Sequence, residues 1–382
     1  MDANLPMRSK LAATLLAVLA LPAMAPVTFA TPVVTAVGAK ADTAPLARAP
    51  MAVGGRAVTD AGGQLVYQWP GMHFQTRLEG DAVLFEVGTG DVVLHVSADG
   101  LRVATLVKPA PGRYRLAGLG AGTHLVRIDV ASESQAGPNR FGGFLLPAGS
   151  HALPVPATSR QVEFIGDSHT VGYGTASDQR ECSDAQVWAT TDNTLAYGPR
   201  LAARYGADYR VHAISGRGIV RNYGGMAADT LPQAYPWVLF DHSARADDAG
   251  WRPQLLVVAL GTNDFSTPLG ETERWPDREA LRADYVAHYV AFVGELRRRH
   301  PQARVLLWST DLLDGEIRDQ VTGVVAALRA SGEDRVDYAV VSGLGMEACH
   351  WHPSAADHAR IANLLAPRID AMDALWPQDA TR

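Results

Sequence analysis

Near residue 160 the hydrophobic rhythm of the chain changes, and this change restricts the fold more than any other feature. From about residue 51 to 150 apolar and polar residues alternate. His124, Val126, Ile128 and Val130 fall on one side of an extended segment, and Thr123, Leu125, Arg127 and Asp129 on the other. A period of two is the mark of a strand buried on one face. Segments 81–87, 92–97 and 101–107 are similar short strands, divided by Glu-Gly-Asp, Thr-Gly-Asp and Ala-Asp-Gly turns. Many short strands at this spacing predict a β-sandwich of jelly-roll type. After Arg160 the pattern becomes strand–helix alternation. Strands are expected at 161–165, 208–213, 254–260, 303–309 and 336–341. Leu281, Tyr285, Tyr289, Phe292 and Leu296 stripe a helix over about 276–299; Ile317, Val321, Val324 and Leu328 stripe another over about 316–330. Ser354, after Pro353, is a good N-cap for a final helix. Such alternation gives a parallel sheet covered on both faces.

The 382 residues exceed the ~250–300 that one core usually serves, which agrees with two domains. We expect the sandwich at 51–150 and the α/β domain at 160–375, joined by a link at 145–159 that contains Pro147, Pro154 and Pro156. Residues 1–30 have the layout of a secretory signal peptide. Arg8 and Lys10 precede an apolar run over 11–23, and small residues follow at Ala23, Ala25, Thr28 and Ala30. The run is too short for the ~20 residues of a membrane span. No cysteine follows it to carry a lipid, so a secreted or periplasmic protein without a membrane anchor is expected. Residues 31–50, rich in Ala, Pro, Thr and Val, read as a flexible leader. The net charge is −6, and the only lysines are Lys10, Lys40 and Lys108. With arginines scattered rather than striped, a nucleic-acid partner is not expected.

The chemistry concentrates at four points. Val162, Phe164 and Ile165 lead into Gly166-Asp167-Ser168, which puts a serine at a strand C-terminus, where open α/β sheets bind ligands. Gly166 allows a sharp turn there. A serine needs a base to become a nucleophile, and Cys349-His-Trp-His352-Pro-Ser offers a histidine just before a helix start. Gly216, in Ile-Ser-Gly, and Asn263, in Gly-Thr-Asn-Asp, follow two further strands. They add a backbone N–H and a side-chain amide. Nucleophile, base and two donors are the parts of an acyl-transfer site.

In this order Ser168, Gly216, Asn263 and His352 resemble the four blocks of the SGNH (GDSL-like) hydrolase superfamily. The resemblance implies a flavodoxin-like three-layer α/β/α domain and an acyl-serine intermediate. It also implies an oxyanion hole made by Ser168, Gly216 and Asn263, with neither cofactor nor metal. A small β-sandwich ahead of such a domain is the layout of carbohydrate esterase family 2. The Tyr67-Gln-Trp-Pro-Gly-Met-His-Phe segment and the Trp351-His352-Pro-Ser block are similar to that family as well. Family membership implies removal of O-acetyl groups from acetylated polysaccharide or oligosaccharide, of acetyl xylan or glucomannan type. Most SGNH enzymes orient the histidine with an aspartate three residues earlier, and here that position is Cys349. Family 2 implies a Ser–His dyad instead, with a main-chain carbonyl as orienter, and His350 is the candidate. Asp167 and Asp264 then read as loop organisers. Two alternatives remain open: a lipase or arylesterase on the same scaffold, and a carbohydrate-binding protein with a vestigial hydrolase domain.

Other residues have plainer readings beside the functional ones. Trp351 and Tyr223 are candidate sugar contacts, as is His169, which could equally fill the pocket. Arg221 and Asn222 could touch substrate through the same loop as Tyr223. His358 reads as an ordinary helix residue. Cys349, His350 and His352 lack the spacing of a metal site. Cys182 and Cys349 are the only two cysteines. In an exported chain they are expected to pair, the alternative being two buried free thiols.

Overall fold

The computed structural model describes Met1, residues 31–38 and residues 45–377. Met1 aside, the signal-peptide expectation for residues 1–30 lies outside the described residues. In the first domain, period-two alternation produces two antiparallel sheets packed face to face. One runs Val33–Val37, Gly112–Ala117, Ala82–Val87, Asn139–Leu146, Leu65–Tyr67, Val58–Thr59, with Ala47–Arg48 also paired to Asn139–Leu146. The other runs His151–Leu153, His73–Glu79, Thr123–Val130, Val93–Ala98, Leu101–Val107, with Ala52–Gly54 on His73–Glu79. His124, Val126, Ile128 and Val130 all face inward. Phe74 of one sheet stacks on Phe141 of the other with ring centroids 4.1 Å apart. Leu78, Phe85, Leu116 and Phe144 complete a core from which water is excluded.

The expected leader is corrected here. Residues 33–37, Val-Val-Thr-Ala-Val, form a strand paired antiparallel along Gly112–Ala117. β-branched side chains suit a pleated surface, and the strand covers what would otherwise be an open sheet edge. The link is shorter than expected for a related reason. His151–Leu153 still pairs with His73–Glu79, so the sandwich runs past residue 150.

The second domain is a five-stranded parallel sheet in the order Asp208–Ala213, Gln161–Gly166, Leu255–Ala259, Arg304–Thr310, Val336–Val341. Counted along the chain this is 2-1-3-4-5, the flavodoxin-like order. Leu255–Ala259 is buried along its whole length, as a central strand covered on both faces must be. Tyr197–Tyr205 and Ala355–Asp370 cover one face through Tyr197, Leu201, Ile361 and Leu365. Arg278–Arg299 and Glu316–Ala330 cover the other, with the predicted Leu281, Tyr285, Tyr289, Phe292 and Leu296 stripe buried. Asp277 caps the first of these helices by accepting from Ala280 N–H at 2.8 Å. Ser354 caps the last in a reciprocal box with Asp357.

The domains are joined by an ion pair and by polar contacts. Arg56 of the sandwich is 3% exposed and forks onto Asp248 at 2.6 and 3.1 Å. His73 meets Asp208 and His95 meets Asp192, both at 2.9 Å. The Trp69 indole N–H donates to Trp237 O at 2.9 Å. Removing Asp248 would strand the buried Arg56 charge, so this pair favours one arrangement of the interface. No helix among the described residues is long and apolar enough to cross a membrane.

Candidate active site

The strand Gln161–Gly166 delivers its serine to the C-terminal edge of the sheet. Gly166 is needed for close approach rather than for an unusual φ. A Cβ there would lie 2.1 Å from Thr170 Oγ1 and 2.8 Å from the carbonyl oxygen of Ala259. Asp167 then caps the single helical turn Ser168–Val171 by accepting from His169 N–H at 3.0 Å. Ser168 Oγ lies 2.9 Å from His352 Nε2.

The loop that carries His352 turns sharply, with left-handed φ at His350 and Trp351 and a bridge between Ala348 and His352. Its geometry aims two carbonyls at the far side of the ring. His352 Nδ1 is 3.0 Å from Cys349 O and 3.1 Å from His350 O. Carbonyls only accept, so Nδ1 carries the proton and Nε2 is left to accept from the serine; this tautomer follows from the network. The sequence pointed to the His350 carbonyl alone, and the structure shares the role with Cys349. Cys349 is bonded to Cys182, with Cα atoms 5.4 Å apart.

Burial drives the His352 imidazole down to about 4, against the opposing pull of the two carbonyls. With no carboxylate to stabilise the imidazolium, desolvation wins. Only the neutral ring can accept a proton at Nε2. A pKa below the ordinary histidine value therefore leaves the ring able to accept as pH falls from 7, with loss only near 4. We expect the acid limb of kcat/KM on an aryl acetate to fall near pH 4. A limb at or above pH 6.5 would contradict this environment.

Backbone donors face the same edge. The N–H groups of Ser168 and Gly216 have no acceptor among the described residues. Gly216 has φ 82°, in the left-handed region that favours glycine. Asn263 is buried and donates through Nδ2 to Arg217 O at 2.8 Å and to Asp167 Oδ2 at 3.2 Å. Asp264 gathers the next loop by accepting from Ile219, Val220 and Arg221 N–H at 2.9 to 3.1 Å. Burial pushes Asp167 up to about 7, assisted by the charge of Asp264, and Asp264 up to about 6.

The candidate substrate contacts divide. Trp351 and Tyr223 are each 57% exposed beside the base and beyond Gly216, respectively. Arg221 and Asn222, offered with Tyr223, are corrected to structural roles. Arg221 is buried against Glu273 at 2.5 and 2.8 Å, and Asn222 Nδ2 is committed to Met226 and Ala228 carbonyls. His169 is buried edge-on to His352, with centroids 5.6 Å apart; burial and the neighbouring His352 hold it well below the ordinary value. His358 is a core residue of the last helix, and its Nδ1 accepts from Tyr197 N–H. Among the described residues no group of three His, Cys, Asp or Glu is arranged to hold a metal ion.

Tyr173 and Glu133 escaped the sequence reading. Tyr173 lies against His352, centroids 4.3 Å apart, and its hydroxyl is 3.0 Å from His350 Nδ1. Its signal was present: it follows a one-turn helix closed by Gly172, which returns the chain toward the serine. Glu133 of the sandwich reaches Ser215, beside Gly216, and nothing in the local sequence announces that contact.

Comparison with known proteins gives consistent results. The carbohydrate esterase 2 N-terminal family matches residues 53–156, and the GDSL-like lipase/acylhydrolase family matches residues 164–369. An acetylxylan esterase / glucomannan deacetylase of Cellvibrio japonicus is 39% identical over 332 residues, which is 86% of this chain and 92% of the relative. A solved carbohydrate esterase described as having divergent catalytic and non-catalytic binding functions superposes with TM-score 0.82 at 37% identity, covering 87% of this chain and 100% of that one. A family two carbohydrate esterase from Clostridium thermocellum, solved with cellohexaose, gives TM-score 0.75 at 25% identity, covering 84% and 98%.

Proposed function

The chain belongs to carbohydrate esterase family 2 and is a carboxylic ester hydrolase; on that premise we propose that it removes O-acetyl groups from a polysaccharide of xylan or glucomannan type, with Ser168 and His352 as its dyad. The observation that carries the residue assignment is the 2.9 Å approach of His352 Nε2 to Ser168 Oγ, with Nδ1 turned onto two carbonyls. His352 takes the hydroxyl proton as Ser168 Oγ bonds to the acetyl carbon, and the carbonyl electrons move to oxygen. The Ser168 and Gly216 N–H groups receive that oxyanion. Asn263 joins them by exchanging its longer bond, to Asp167, for the new acceptor. Collapse breaks the bond to the sugar oxygen, which takes the proton from His352. Water, deprotonated in turn by His352, attacks the acetyl-serine; collapse breaks the bond to Ser168 Oγ, which takes the proton back from His352, and acetic acid leaves and ionises to acetate.

The exposed Trp351 and Tyr223 support sugar contact, since aromatic faces suit the apolar faces of a sugar ring. The layout of residues 1–30 supports a secreted or periplasmic location, and the Cys182–Cys349 bond fits an oxidising compartment.

Acyl size tests the acetyl assignment. An apolar pocket gains only about 1–3 kcal/mol per methylene, so rejection of long chains must come from steric closure around the acyl group. We expect kcat/KM on aryl esters to fall on the order of 100-fold or more from acetate to octanoate. Comparable values would favour a lipid esterase.

A further inference from the structure

The Gly216 N–H shares a peptide with the carbonyl of Ser215, and a residue of the other domain holds that carbonyl. Gln135 Nε2 donates to Ser215 O at 3.1 Å and also to Glu133 Oε1 at 3.1 Å. Glu133 Oε1 in turn accepts from Ser215 N–H at 2.8 Å. Both backbone polar groups of Ser215 are thus engaged by the sandwich.

The peptide bond is planar and trans, so its C=O and N–H point in opposite directions. Fixing the Ser215 carbonyl therefore fixes the aim of the Gly216 N–H. The turn makes this control necessary. Arg217 N–H donates to Ile214 O at 3.2 Å, closing a four-residue turn whose third residue, Gly216, has φ 82°. That is the type II form. Type I differs from it chiefly by a flip of the central peptide, and here the central peptide is Ser215–Gly216. A flip would send the donor away from the serine.

The loop that applies the restraint is itself pinned. Ala131 O accepts from Asn193 N–H at 2.8 Å, and Ser132 Oγ from Val93 N–H at 2.9 Å. Asn139 Nδ2 donates to Ser134 Oγ at 2.7 Å, and Gln68 Nε2 to Gln135 O at 3.3 Å. We infer that Gln135 and Glu133 are positioning residues which hold the Ser215–Gly216 peptide in its donor-forward orientation, so that the sandwich completes the esterase site. This rests on the oxyanion role proposed for Gly216.

The test is a set of full-length variants assayed on a small aryl acetate, with inhibition by methylboronic acid as a measure of tetrahedral-adduct affinity. Gln135→Glu keeps size but replaces the donor with a carboxylate that repels both the Ser215 carbonyl and the Glu133 carboxylate. Gln135 is exposed, so the variant should fold, which circular dichroism checks. Its kcat should fall roughly 10–100-fold, somewhat less than outright loss of a donor, with KM little changed and methylboronate binding weakened in parallel. Glu133→Ala should do likewise, and Glu133→Gln, which can still accept from Ser215, should restore most of the rate. A Gln135→Glu enzyme within twofold of wild type in kcat, or impaired only in KM, overturns the inference. Asn263→Ala separates the levels. If it loses rate while Gln135→Glu does not, the oxyanion hole stands and the cross-domain restraint fails. If neither loses rate, the oxyanion reading fails as well.

Discussion

Replacing Ser168 with alanine should lower turnover of acetyl esters by roughly 10⁴-fold or more, and His352→Ala should come close to it, because nucleophile and base act as one unit. The geometry leaves little redundancy. Ser168 Oγ is the hydroxyl that His352 Nε2 meets at 2.9 Å. His169, the other ring beside His352, is buried edge-on to it and held neutral, and among the described residues its ring makes no hydrogen bond to the serine hydroxyl. The serine substitution removes one oxygen from a site whose backbone is fixed by the Asp167 cap, so circular dichroism and thermal midpoint should stay near wild type. Steady-state rates on an aryl acetate, read beside those controls, check the prediction. A folded Ser168→Ala protein that keeps a substantial rate would rule out the acyl-serine route.

The second large effect is expected at the Cys182–Cys349 bond. It closes a loop of 167 residues, nominally worth about 5 kcal/mol in the chain-entropy model. For a protein of this size that corresponds to a fall of roughly 10 °C in thermal midpoint on replacing both cysteines with alanine. Activity should fall too. The Cys349 carbonyl is one of the two that orient His352, and the bond ties its loop to the segment that follows the nucleophile. A bridge therefore supplies part of the fixity that a carboxylate gives the histidine in related sites. Peptide mapping of protein exported to the periplasm, without reductant, should recover the linked pair. Two alkylatable thiols in fully active enzyme would contradict it.

What the sequence disclosed followed from periodicity and local caps. The stripe from Leu281 to Leu296, the Ser354 cap and the buried central strand are each written within a few neighbouring residues. The helix Tyr197–Tyr205 was not legible, because Gly198 and Pro199 in its first turn imitate a loop. Both residues have physical reasons. Proline is tolerated in a first turn, and a Cβ at Gly198 would come within 2.9 Å of the Phe164 ring. The strand Val33–Val37 was missed because its five residues gain order only from a partner far along the chain. Arg221 misled for a similar reason: the carboxylate that occupies it, Glu273, lies on a separate loop. Within the site, the four motif residues were visible as local turn chemistry. The Gln135–Ser215 contact was not, since it joins two domains with no common motif.

The most direct test of the whole account is acetate release from acetylated glucomannan and acetylated xylan by the wild-type enzyme and by Ser168→Ala. Steady release of acetate by the wild type on at least one of these polymers, with none above background from the variant, is the predicted result. Equal release by both proteins, or no release from either polymer by a wild-type enzyme that cleaves octanoyl esters readily, would contradict it.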